Sequence, residues 1–302
     1  MKQWTIRQVL ACLIGSTCLT LVLSLSGYII WSRSMQKKRT DPHYKIVSII
    51  QTGPEKEVLK TAYLAELLGL SSDCFTSLYS LDCKQAEKKL LASPLISFAS
   101  VKRIPPGTLY IDYEVRKPIA WLADYKNVGI DAEGYIFPVA PFFSPKELPA
   151  IYLGLPAFGA PTDRLGRKGG AWQTPLQNNY FRLAFEILQF LETAPWKEGF
   201  HLKKIDVSNA FAPSLGQREV VLFTEEDFRF QLEGKEICCV FPKILRLAPK
   251  DYAQQLVHFF SLRRSIAEDY KKQLSRISES VRFQPRIIDL RIPHLAFVEN
   301  HS

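Results

Sequence analysis

The chain has 302 residues, 47% hydrophobic, 12% aromatic and 23% charged, a composition that excludes a disordered tail and describes globular material. Its net charge of +9 permits contact with anionic lipid, anionic polymer or nucleic acid and selects none of them. Of six cysteines, Cys12 and Cys18 fall in an apolar run and Cys74, Cys83, Cys238 and Cys239 in the rest; for Cys74 and Cys83 a bridge and a pair of reduced core thiols both stay open.

The apolar run comes first in the chain. Gln8 to Trp31 is 24 residues without a charged side chain, and as a helix it reaches roughly 36 Å, enough to cross a hydrocarbon core of about 30 Å. Trp4, Tyr28 and Trp31 stand at its ends, where amphipathic rings prefer the interface. A cleaved signal peptide has a shorter apolar region and a small-residue cleavage site, so residues 8–31 read as an uncleaved transmembrane helix. Basic residues flank both ends, Lys2 and Arg7 before and Arg33, Lys37, Lys38 and Arg39 after. Their count alone would put the C-terminal side in the cytoplasm.

Residues 32–44 are short, basic and polar and read as a juxtamembrane linker. The pattern then becomes structural. Ile46, Val47, Ile49 and Ile50 form a strand stopped by Gly53 and Pro54. Val58 to Leu68 has helical spacing and ends at Gly69, and a second helix runs from Asp82 to Leu91. Phe98–Ile104 is a strand, Pro106 and Gly107 suit a type II turn with φ > 0 at the glycine, and Leu109, Ile111, Tyr113 and Val115 alternate as a second strand. Residues 45–117 therefore form a small α+β module in the order strand, helix, helix, strand, strand. Pro118, which has no N–H to donate, marks the exit from it.

A larger β-rich domain follows over residues 118–299. Trp121–Ala123, Val128–Ile130 and Tyr135–Val139 make a meander, with Asp131 and Gly134 framing a turn. A catalytic carboxylate at Asp131 is disfavoured, since aspartates are common in turns. A Pro-rich passage runs through Pro141, Pro145, Pro149 and Pro156. Gly154 to Thr174 holds five glycines and reads as a long surface excursion; its Gly166-Arg167-Lys168-Gly169-Gly170 lacks the phosphate-loop arrangement. A helix is expected over Leu176–Thr193, then strands at Lys204–Val207, Glu219–Phe223, Phe228–Leu232 and Ile237–Phe241 with a turn opened by Gly234, and helical pattern over Asp251–Arg282. Ile288, Leu290 and Ile292 alternate as a strand that Pro293 confines to an edge or bulge. Such an edge offers unpaired backbone groups to another chain. Between Lys243 and Arg291 there are eleven Lys or Arg and five Asp or Glu, a basic excess suited to a partner with acidic flanks.

The wording of the α+β module and its exit is specific. Leu90, Pro94, Leu95, Val101, Arg103, Pro105, Thr108, Leu109, Ile111, Val115, Arg116, Pro118, Ile119 and Ala120, continued by Ile130, Asp131, Gly134 and Phe137, behind a single apolar span, resemble the FtsQ/DivIB family of bacterial cell-division proteins. The resemblance implies an α+β chain with a transmembrane helix, a POTRA-type domain and an FtsQ-type β domain. It implies that residues 1–7 are cytoplasmic, that the bulk lies outside the cytoplasmic membrane and gathers at the septum, and that the chain is a non-catalytic scaffold. The segment Pro285 to Glu299 is similar to the family's C-terminal strand, which receives an FtsB/DivIC-type partner accompanied by an FtsL-type protein. Carried over by position, Arg291, Ile292, His294, Phe297 and Glu299 are the contact candidates, with Ile292 where tyrosine is usual, Pro293 interrupting the strand, and residues 300–302 a tail. Removing residues 285–302 is then expected to abolish binding while the rest of the fold survives.

Other classes fit less well. A POTRA-bearing transport or assembly subunit would carry repeats or a membrane barrel, and a wall hydrolase would need chemistry that the sequence does not display. No metal, cofactor or small-molecule substrate is expected: the catalytic motifs are missing, and His43, His201, His258, His294 and His301 are scattered.

Overall fold

The computed structural model describes residues 6–71, 73–194, 199–232, 235–274 and 286–299. The chain divides into two compact units, Met1–Val115 and Arg116–Ser302, within a few residues of the boundary expected at Lys117 and Pro118.

The first unit opens with α1 (Ile6–Thr40), long and apolar enough over Leu13–Thr40 to cross a membrane. Its hydroxyls are spent inside the helix. Ser16, Thr17, Thr20, Ser24, Ser26 and Ser32 each donate to a carbonyl three residues back, which suits a medium that offers no water. The expected linker is not an extended tether. Helix continues through Thr40, and a 3₁₀ turn over Pro42–Tyr44 follows, capped by the Asp41 side chain on the His43 N–H.

Behind it, β1 (Ser48–Thr52), α2 (Thr61–Leu68), α3 (Cys83–Leu91), β2 (Ile96–Ile104) and β3 (Thr108–Val115) follow the expected order. The sheet order is β1-β3-β2, with β1 parallel to β3 and β2 antiparallel to it. Leu109, Ile111, Tyr113 and Val115 are all buried, as their alternation required. Gly69 caps α2 at φ 71° and Asp82 caps α3 through the Lys84 N–H. Gly107 departs from expectation: its φ is not positive, and the Pro105–Pro106 peptide is cis. Glycine is required there because the Gly107 carbonyl accepts from the Val47 N–H at 2.9 Å, a crossing so close that a Cβ would collide with the Lys45 carbonyl. Cys74 and Cys83 are free thiols.

The second unit is a nine-stranded mixed sheet in the order β12-β11-β10-β9-β8-β7-β4-β5-β6. Its strands are β4 (Ala120–Leu122), β5 (Val128–Ile130), β6 (Ile136–Pro138), β7 (Ala150–Tyr152), β8 (Phe200–Asp206), β9 (Val220–Leu232), β10 (Lys235–Leu247), β11 (Arg286–Asp289) and β12 (Phe297–Val298). The meander β4-β5-β6 is as expected. β7 is additional, a three-residue strand inside the Pro-rich passage. Two helices cross between parallel neighbours, α4 (Asn179–Thr193) from β7 to β8 and α5 (Tyr252–Leu274) from β10 to β11. They meet through Phe190 and Tyr252, whose rings are 6.2 Å apart. Ala184, Ile187, Leu256 and Phe259 have no exposed surface and fill the core against Ile205, Leu222 and Leu245. The distal part of the helix expected to Arg282, the turn at Gly234 and Pro285 lie outside the described residues.

Cys238 and Cys239 alternate across β10, one exposed and one half-buried, as a strand demands.

Candidate partner-binding site

The C-terminal segment reverses on itself. β11 runs parallel to β10 and buries Ile288 and Leu290. Pro293 and His294 then form a turn, His294 at φ 62°, closed by the Leu295 N–H donating to the Ile292 carbonyl at 3.2 Å. β12 returns antiparallel along β11. Pro293 thus sits in the reversal rather than in a strand, and the edge of the sheet is β12, not the segment around Ile288–Ile292. The Glu299 N–H donates to the Ile287 carbonyl at 3.0 Å. By the alternation of an antiparallel ladder, Val298 therefore turns its own N–H and C=O away from β11.

The hairpin's apolar side chains are outward. Ile292, Leu295 and Phe297 are 61%, 64% and 68% exposed within six residues of chain, and clustered exposed apolar side chains are what interaction sites offer. Beside them lies a groove of about 340 Å³ between α5 and the reversal, lined among others by Asp251, Gln254, His258, Leu262, Ile292 and Leu295. The helical spacing of Gln254, His258 and Leu262 puts them in one row on α5. The rings of His258 and His294 face across the groove at 6.0 Å.

Of the expected contact residues, Ile292 and His294 line the groove, and Phe297 is exposed on β12. Glu299 is half-buried. Arg291 is committed elsewhere: its guanidinium clasps the Asp289 carboxylate at 2.7 and 3.0 Å, reaches Glu219 at 3.4 Å and donates to the Gly216 carbonyl at 3.2 Å. Arg246 binds the same Glu219 at 2.6 Å, so the two arginines and two acids tie together the ends of β9, β10 and β11. Burial works against ionised Asp289, but the Arg291 hydrogen bonds overcome it and hold the carboxyl below its ordinary range. Arg291 is thus a positioning residue for the hairpin. Leu295, Leu262 and Val298 were not anticipated, and the only sequence signal for them is their apolar character close to Pro293 and along α5.

The structural motif residues have distinct environments. Pro118 is buried, facing Gly129 where a Cβ would come within 3.1 Å. Gly134 adopts φ 85° and donates to the Asp131 carbonyl. Asp131 is more than a turn residue. Its side chain is 4% exposed, pairs with Arg116 at 2.8 Å and accepts from the Tyr135 N–H at 2.7 Å, while the guanidinium stacks 3.8 Å from the Tyr135 ring centroid. Burial pushes its carboxyl up despite the Arg116 bond.

A second polar cluster lies in the core. Glu226 on β9 and Lys243 on β10 form an ion pair with no exposed side-chain surface, and Arg263 of α5 reaches Glu226 at 3.3 Å. Burial holds the Lys243 ammonium below its ordinary range although Glu226 pulls the other way. The Lys243 ammonium lies 5.1 Å from the Phe228 ring centroid and 5.7 Å from that of Phe259. Among the described residues, no group of three or more His, Cys, Asp or Glu is placed to hold a metal ion.

Neither protein-family models nor curated protein sequences match this chain.

Proposed function

We propose that the chain is a non-catalytic, single-pass scaffold of the bacterial division septum, of the FtsQ/DivIB type, which docks an FtsB/DivIC-type partner and its FtsL-type companion through the C-terminal hairpin. The observation that carries this reading is the end of the nine-stranded sheet: a two-residue edge strand with outward Val298 backbone groups, exposed Phe297, and an adjoining groove beside α5. An extended partner segment adds to such an edge by main-chain hydrogen bonds, with apolar anchors supplying specificity. The strand-helix-helix-strand-strand order of the first unit supports reading residues 45–117 as a POTRA-type module, and α1 is long enough to anchor it. The N-terminus is then cytoplasmic and both units extracytoplasmic.

The deletion that tests this has to respect the packing. Removing residues 285–302 would strip the buried Ile288 and Leu290 from the core, so the expectation that the fold survives that cut is replaced by a shorter one. Truncation after Leu295 removes β12 alone. It is expected to abolish co-purification of the partner while the thermal unfolding midpoint in detergent changes little; undiminished co-purification would refute the docking site.

A further inference from the structure

The surface excursion after β7 is internally hydrogen-bonded. Its two limbs run side by side, with the Gly159 N–H donating to the Gly170 carbonyl at 2.8 Å, the Gly169 N–H to the Ala160 carbonyl at 3.1 Å and the Asp163 N–H to the Arg167 carbonyl at 2.9 Å. A Cβ at Gly169 would collide with the Ala157 carbonyl, so glycine is what lets the limbs approach. The base is held by Tyr125, whose hydroxyl donates to the Pro156 carbonyl and accepts from the Gly170 N–H, both at 2.7 Å. The result is a narrow finger.

Its charge is arranged by side. Asp163 is the only acid from residue 157 to 173; its carboxylate accepts from the Leu165 and Arg167 N–H groups and pairs with the Arg167 guanidinium at 2.9 Å. Arg167 turns inward towards the Tyr180 ring. Arg164 and Lys168 are exposed, and among the described residues neither joins a carboxylate. They bracket Leu165 at the tip, which is 41% exposed, and Phe158 and Trp172 meet at a tilt with ring centroids 4.7 Å apart where Phe158 packs on Tyr125, themselves 42% and 39% exposed.

We infer that this finger is a second membrane contact, dipping Leu165 and the Phe158–Trp172 pair into the interface of an anionic bilayer while Arg164 and Lys168 meet lipid phosphates. Three apolar side chains on a narrow finger fall far short of the roughly 800 Å² a side of a stable protein interface. Aromatic rings and a basic rim are what an interfacial site needs, and cations near an anionic leaflet are attracted within a Debye length. The inference rests on the reading of α1 as an inserted anchor, which keeps a bilayer within reach of the chain.

The test uses the full chain in nanodiscs of equal parts phosphatidylglycerol and phosphatidylcholine, or of phosphatidylcholine alone. A photoreactive leucine analogue is placed singly at position 165, at 25 within α1, or at 215, an exposed leucine elsewhere in the second unit. Lipid adducts at 165 in the anionic discs are expected, falling roughly tenfold in neutral discs and in the Arg164→Gln/Lys168→Gln chain, with none at 215. No adduct at 165, adducts only to a second copy of the chain, equal yield in both lipids, or labelling at 215 as strong as at 165 would each overturn the finger assignment. Position 25 reports separately: absence of lipid adducts there overturns the anchor reading, whatever 165 shows.

Discussion

Lys243 and Glu226 illustrate what single residues conceal in a sequence. The run Glu225-Glu226-Asp227 reads as a break between two strands, yet Glu226 is carried into the core because the period of two continues through it, and Lys243, which stands opposite Thr224 on β10, reaches it diagonally on the same face. Nothing local announces that pairing. A buried charge left with no partner costs about 3–5 kcal/mol; Lys243→Met leaves Glu226 with Arg263 alone among the described residues, so a loss below that figure is expected. Lys243→Met combined with Glu226→Leu is expected to recover most of the loss; denaturant unfolding of the three chains in detergent reads the difference. Asp289 contributes to the pH dependence of stability. Its folded carboxyl is held below the unfolded range, so its contribution to stability is fully present above about pH 4 and is lost as pH falls through the lower folded value. The gap in thermal midpoint between the parent and Asp289→Asn is expected to shrink on acidification from pH 5 to about pH 3; a gap that widens would contradict the Arg291 clasp.

At the scale of elements, most of the fold was legible. Alternation disclosed β3, helical spacing disclosed α2, α3 and α4, and the cap at Gly69 fell where expected. The errors are those of context. β7 is too short for periodicity to register and exists because parallel neighbours on both sides complete its ladder. β9 reads as two strands in the sequence because of its buried charge. Gly107 was assigned the right residue type for the wrong reason, since φ > 0 is a local cause and backbone approach from Lys45 is a long-range one. Gly107→Ala is therefore expected to cost about 1–3 kcal/mol through a collision with backbone that has no flexible side chain to give way. Gly216→Ala, with open space around its Cβ, should stay within about 0.5 kcal/mol. Equal effects of the two on the unfolding midpoint would contradict this account.

For the whole molecule, the long apolar helix and the order of the two units could be read from hydrophobic runs, whereas the proposed docking surface could not. The alternation Ile288, Leu290, Ile292 correctly marks a strand face, but whether that strand is an edge depends on where the chain goes after Pro293. Only the reversal through His294 makes β12 the boundary and sends Ile292 outward while Ile288 stays buried. Membrane orientation is equally beyond local charge. With the N-terminus in the cytoplasm, alkaline phosphatase fused after Ser302 is expected to be active; activity of a cytoplasm-dependent reporter at the same site would reverse the topology. The central claim is that the C-terminal hairpin is where a partner strand docks, and the most direct measurement is crosslinking in cells from a photoreactive residue at position 297. The account expects a covalent product with a small single-pass membrane protein that is lost when the photoreactive residue is moved to position 215. Products from 215 but none from 297 would contradict it.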